Sequence, residues 1–169
     1  MANLLWPELH SLNLAPEFES LREAIRRGHL DPRKSPIESF FSPSLQLWRD
    51  KVAQAHRDME RALEHGFRCV DWFHPDYPDR LRRSHEAPLA FMFYGDLSLL
   101  RRPTLAVVGS REPWELSVRW MNTELTNFLS RNDVVIVSGG ARGIDQLAHR
   151  LAVVCKRPTL VVLPSGLLR

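Results

Sequence analysis

The chain has 169 residues and a formal net charge of +3, with 44% hydrophobic and 25% charged residues. This balance is close to the globular average and excludes disordered, fibrous and collagen-like classes, and no apolar run approaches the ~18 residues of a membrane span. The N-terminal MANLLWPELH lacks a basic stretch before an apolar one, so no signal peptide is read; two distant cysteines, Cys69 and Cys155, argue against a disulfide scaffold or a thiolate zinc site and fit the cytoplasm.

Residues 1–65 read as a small all-helical domain. Phe18, Leu21 and Ile25 share one helix face, and Gly28 follows Arg26-Arg27 where a C-cap belongs. A longer helix is predicted from Pro43 to about His65. Its apolar positions Leu45, Trp48, Val52, Ala55, Met59 and Ala62 alternate spacings of three and four, which leaves a single stripe for helix packing. Ser42 can cap its start, Pro43 suits the first helical position, and Gly66 can end it.

A boundary is expected near residue 66, with residues 66–169 forming a second domain. Phe67–Phe73 reads as a short strand, His74–Pro78 as a turn, and Leu89–Tyr94 as a second apolar run closed by Gly95-Asp96. From Thr104 the pattern becomes strand, helix, strand, helix, strand. Thr104–Val108, Val134–Val137 and Thr159–Leu163 are the near-continuous apolar runs of buried parallel strands. Trp114, Val118, Met121, Leu125 and Phe128 mark the first intervening helix, and Ile144, Ala148, Leu151 and Cys155 the second. Two βαβ units predict a three-layer α/β arrangement around an extended Rossmann-like parallel sheet of at least three strands. The sequence stops just after the third strand, so this sheet is expected to be C-terminally incomplete.

Both strand-to-helix loops sit where open α/β sheets bind ligands. Gly109-Ser110-Arg111 combines a flexible backbone, a hydroxyl and a planar guanidinium, the components of a phosphate site; it equally fits a tight turn with Ser110 capping the helix. Ser138-Gly139-Gly140-Ala141-Arg142-Gly143 approaches the dinucleotide fingerprint, but a serine stands at its first glycine, and there is no Walker A lysine. Its glycines and Arg142 favour an anion, or else serve helix–sheet packing. Residues 101–169 carry 10 Lys/Arg against 5 Asp/Glu, while the two preceding stretches are each one charge negative. A polyanionic partner would meet this basic half, although a solvated surface explains the same excess.

Asp145 and His149 stand four apart on the second helix, and a helical contact explains them better than an acid–base pair. The remaining histidines, at 10, 29, 56, 65, 74 and 85, show no ligand spacing, and neither a catalytic group nor a cofactor is read. Trp114 and Phe93 could stack on bases, but periodicity assigns Trp114 to the core face.

Ser138, Gly139, Ala141, Gly143, Ile144, Asp145, Ala148 and His149 match the pattern S-G-x-A-x-G-I-D-x-x-A-H of the DNA-processing protein A (Smf) family, and Val108-Gly109-Ser110-Arg111 resembles its V-G-S-R. Tyr77-Pro78, Leu81, Pro88 and Tyr94-Gly95 are similar to further family segments in order and spacing. The resemblance spans roughly residues 66–166; residues 1–65 look like the family's SAM-like domain in position and size only. It implies a Rossmann-like domain that binds and protects single-stranded DNA and helps load RecA in natural transformation, as a possible homodimer and without membrane contact. The implied phosphate pocket comprises Gly109, Ser110 and Arg111 with Ser138, Gly139 and Gly140 beside them; Arg142, at a variable position often basic in the family, joins the candidates for its charge and not by the motif. Ser117 and Leu168 depart from a family glycine and aspartate, and the sequence ends one residue after Leu168, as a truncated member would. Two alternatives stay open at this point: a small-nucleotide sensor or hydrolase, and a truncated member acting only as an interaction protein.

Overall fold

The computed structural model describes residues 6–13, 18–35, 37–40 and 45–163, which fall into two compact units divided between Leu97 and Ser98. In the first, helices α1 (Trp6–Asn13), α2 (Glu19–Arg26) and α3 (Leu45–Glu64) gather around Leu9, Leu12, Phe18, Ile25 and Trp48. The stripe read on the long helix is the buried one: Trp48, Ala55 and Ala62 are enclosed, and Val52 and Met59 pack against the core. Ser42, Pro43 and the Leu45 side chain lie outside the described residues. Gly66 ends α3 as expected. Its φ of +78° lets the Phe67 N–H donate to Ala62 O (2.9 Å) and the Gly66 N–H to Leu63 O (3.0 Å), occupying carbonyls left over at the helix end.

Strand β1 (Arg68–Asp71) pairs antiparallel with β2 (Ala90–Phe93), Arg68 opposite Phe93 and Asp71 opposite Ala90. The short helix α4 (Asp79–Arg82) lies between them in the chain. This hairpin belongs with the helices. Leu89 and Ala90 enter the helical core, and the Asn13 amide at the end of α1 donates to Ala90 O (2.8 Å) while accepting from Leu89 N–H (3.1 Å). The packing boundary therefore falls after Leu97 and not near residue 66, and the first unit is helices plus a hairpin. Burial pushes the Cys69 thiol in β1 up to about 11, an unreactive state.

In the second unit, β3 (Thr104–Ala106), β4 (Val135–Ser138) and β5 (Thr159–Val161) form a parallel sheet in that order, with Leu105 beside Ile136 and Ile136 beside Thr159. Helix α5 (Glu115–Arg131) connects the first two strands and α6 (Ile144–Val154) the last two. Sequential strand order with right-handed crossovers puts both helices on the same face. Met121, Leu125 and Leu129 of α5 accordingly join Leu147, Ala148 and Leu151 of α6 in one core over Ile136. The three-layer expectation is corrected to two layers among the described residues, because a third layer requires the strand order to reverse. Ala106, Val108 and Val162, which alternate away from that core, are exposed.

The stripe read on α5 is displaced at both ends. Leu129 is buried where Phe128 was expected, and Trp114 is 82% exposed. Trp114 precedes the helix, with an extended backbone at φ −66° and ψ 150°, so helical periodicity does not govern its direction.

Candidate functional site

The two loops after β3 and β4 interlock through their glycines. A Cβ on Gly109 would lie 2.7 Å from side-chain carbons of Ile144, the first residue of α6. A Cβ on Gly143 would lie 2.3 Å from the Ser110 carbonyl oxygen and 2.7 Å from that of Arg111. The Ile144 N–H donates to the same Ser110 oxygen at 3.1 Å. Gly109 and Gly143 thus serve close packing, a role read in the sequence for the glycines of the second loop and not for Gly109.

Serine hydroxyls hold this frame. Ser138, buried at the end of β4, donates to Val107 O at 2.6 Å and ties the first two strand ends together. Ser110 accepts from the Glu112 N–H at 3.0 Å and shapes the turn that carries Arg111. Asp145 is buried in the first turn of α6, where its carboxylate meets the positive helix end and accepts from the Ala141 N–H at 3.4 Å. His149 does not pair with Asp145. Its Nδ1 lies 2.6 Å from the Thr159 hydroxyl, which in turn donates to Ile136 O at 3.2 Å, so the histidine ties α6 to β5 and the threonine ties β5 to β4.

Above this frame lies an open cleft of about 490 Å³, lined by Arg111, Gly139, Gly140, Ala141, Arg142 and Leu163. Four sequence-predicted residues therefore meet at one place: Arg111, Gly139, Gly140 and Arg142. Gly109, Ser110 and Ser138 support it from behind. Ala141 and Leu163 were missed, since neither carries a chemical signal and Leu163 is supplied by the chain just past β5.

The two arginines differ in a way that matters. Arg142 is engaged by Glu112 from the other loop, Nη2 to Oε1 at 2.6 Å, in an ion pair with both partners exposed. Arg111 is exposed and makes no hydrogen bond or ion pair among the described residues. Among the described residues, the cleft thus presents one guanidinium without a partner beside a glycine-rich backbone, and a second that Glu112 engages. This geometry suits a phosphate oxygen, which accepts two parallel N–H bonds from an arginine. Among the described residues it offers no nucleophile with an adjacent base. No group of His, Cys, Asp or Glu suited to a metal occurs among the described residues, nor any helix long and apolar enough to cross a membrane.

Comparison with known proteins adds a family and a fold. Residues 68–169 match the family model described as DNA recombination-mediator protein A. The chain is 31% identical over 164 residues to the DNA processing protein DprA of Bacillus subtilis, a match covering 95% of this chain and 50% of the relative. It is 36% identical over 91 residues to the DNA processing protein DprA of Streptococcus pneumoniae, covering 54% and 32%, and 37% identical over 91 residues to protein Smf of Escherichia coli, covering 54% and 24%. It thus spans half or less of the length of these relatives. The X-ray structure of DNA processing protein A from Streptococcus pneumoniae aligns with all of this chain and 60% of that one, with a TM-score of 0.73 at 22% identity. The mixed α/β fold, helices followed by a parallel sheet with its helices, is shared.

Proposed function

This chain belongs to the DNA recombination-mediator protein A family, and from that premise we propose that it binds single-stranded DNA in the cytoplasm, shields it, and helps load the RecA recombinase on it during natural transformation, without catalysing a reaction. The observation that supports this most is Arg111, exposed at the edge of the glycine-rich cleft and without a partner among the described residues, in the stretch 101–169 that carries the basic excess. A phosphate in the cleft would take the Arg111 fork and the nearby backbone. Contacts of this kind hold the strand without reading its sequence.

Fluorescence anisotropy of labelled oligo-dT and a matched duplex across a salt series tests the reading. Tighter single-strand binding that weakens with salt is expected. Arg111→Ala should weaken it several-fold and lower the slope of log affinity against log salt by about 0.7, the contribution of one phosphate contact to a single strand. Equal binding by wild type and variant at every salt concentration would remove Arg111 from the site.

Glu112→Gln should act in the opposite direction. It removes a negative charge beside the cleft and releases Arg142, at little cost to the fold because an exposed ion pair is worth about 1 kcal/mol or less. The expected result is affinity about two- to fivefold higher at low salt, with a slope steeper by about 0.7 as Arg142 becomes a phosphate contact. Unchanged affinity would show that Arg142 stays with its partner or faces away from the strand.

A further inference from the structure

Trp114 is one of several large apolar residues exposed in the second unit, with Val108, Leu116 and Trp120, and of these it is the one at the start of α5, next to the loop that carries Arg111. It is the N-cap of α5, a position that serine, threonine, aspartate and asparagine favour because their side chains bond the first helical amides, and here no side-chain cap bond is made. Nor is the indole repaid by burial. It is 82% exposed and absent from the core that α5 and α6 share. A large apolar ring has thus been set in water at a site where a small polar residue would stabilise the helix. Breaches of local preference of this kind concentrate at functional positions.

Its location gives the ring a use. Trp114 follows Arg111 by three residues, so their Cα atoms lie at most about 11 Å apart. That separation is on the scale of the span from a phosphate to the base of its own or the next nucleotide. The backbone before α5 is extended, and it carries the ring out of the helical register that would have turned it to the core. Indole is flat and polarisable and stacks on any base without reading its identity, but only where the base is not already stacked in a duplex.

We propose that Trp114 is a stacking platform for an unpaired base of the strand whose phosphate Arg111 holds. The inference rests on the binding function above and adds the element that selects a single strand over a duplex. Arg111 supplies salt-dependent attraction, and Trp114 supplies a contact that salt does not screen.

The test compares oligo-dT with an abasic oligonucleotide of equal length, by anisotropy across a salt series, for wild type, Trp114→Thr and Trp114→Phe. Threonine restores the missing cap, so Trp114→Thr should melt no lower than wild type, and a loss of binding could not be ascribed to a damaged fold. It should bind oligo-dT about tenfold more weakly at every salt concentration with an unchanged slope, and bind the abasic strand as wild type does. Trp114→Phe should recover most of the loss. The inference is overturned if Trp114→Thr binds oligo-dT like wild type, or loses equally on the abasic strand. Should wild type bind neither oligonucleotide at any salt concentration, the underlying function fails and this contact with it; normal wild-type binding with an indifferent Trp114→Thr refutes the stacking contact alone.

Discussion

Gly143→Ala should cost about 3 kcal/mol or more of stability and abolish DNA binding in the same step. Gly143 has φ +90° and ψ −125°, a backbone state essentially restricted to glycine, and a side chain there stores strain of about 1–3 kcal/mol before any contact is considered. The added methyl group would also stand 2.3 Å from the Ser110 carbonyl oxygen, well inside van der Waals contact. That neighbour is backbone and cannot rotate away. Relief requires either the first loop or the start of α6 to move, which breaks the Ile144 N–H to Ser110 O bond and carries Arg111 out of the cleft. Urea denaturation checks the stability, with a lower midpoint at an unchanged slope marking a true stability change; anisotropy checks the binding. A variant with wild-type midpoint and affinity would show that the loops slide apart freely, against the interlock described above.

Trp48→Ala is the corresponding change in the first unit, with an expected loss of about 3–5 kcal/mol. Trp48 lies on the buried stripe of α3, is 1% exposed, and meets the Phe18 ring edge-on at 5.9 Å between centroids. Leu9, Leu12, Ile25 and Ile37 belong to the same cluster. Removing an indole from such a site forfeits its transfer free energy and leaves a cavity that the helices, tied to the hairpin by Asn13, can only partly close. Domains of ordinary size hold only about 5–15 kcal/mol in total, so this substitution should consume much of the stability to which the unit contributes. Urea denaturation followed by far-UV circular dichroism gives the magnitude. A loss below about 1 kcal/mol would mean that the helices repack around the gap, in conflict with the density of contacts at Phe18 and Ile25.

These two residues differ in how far the sequence reveals them. Trp48 is legible because its burial follows from its phase in a run of apolar positions spaced by threes and fours. Gly143 is visible only as a glycine within a motif. A glycine required for phosphate approach and one required for packing have the same side chain, and only the structure tells them apart: Gly109 and Gly143 lock the loops without lining the cleft, whereas Gly140 does both, lining the cleft with an added Cβ only 2.8 Å from Val161. Ser138 is similar. Its place at a strand end suggested a ligand, but its hydroxyl is occupied by Val107 O.

By itself, the amino-acid sequence determined the long helix α3 and the glycine that ends it, the two strands of the hairpin, the alternation of parallel strands and helices from Thr104, and the two loops from which the candidate site is built, but neither α1 nor α4. These follow from local properties: the period of apolar residues, the conformational freedom of glycine, and the chemistry of a loop. Tertiary structure decided what depends on partners distant in the chain. It attached the hairpin to the helices, put α5 and α6 on one face of the sheet, paired Arg142 with Glu112 while leaving Arg111 without a partner among the described residues, and turned Trp114 outward. Periodicity states which residues of an element can share a face. Which face becomes buried, and which charge becomes occupied, is settled only when non-local surfaces meet and exclude water.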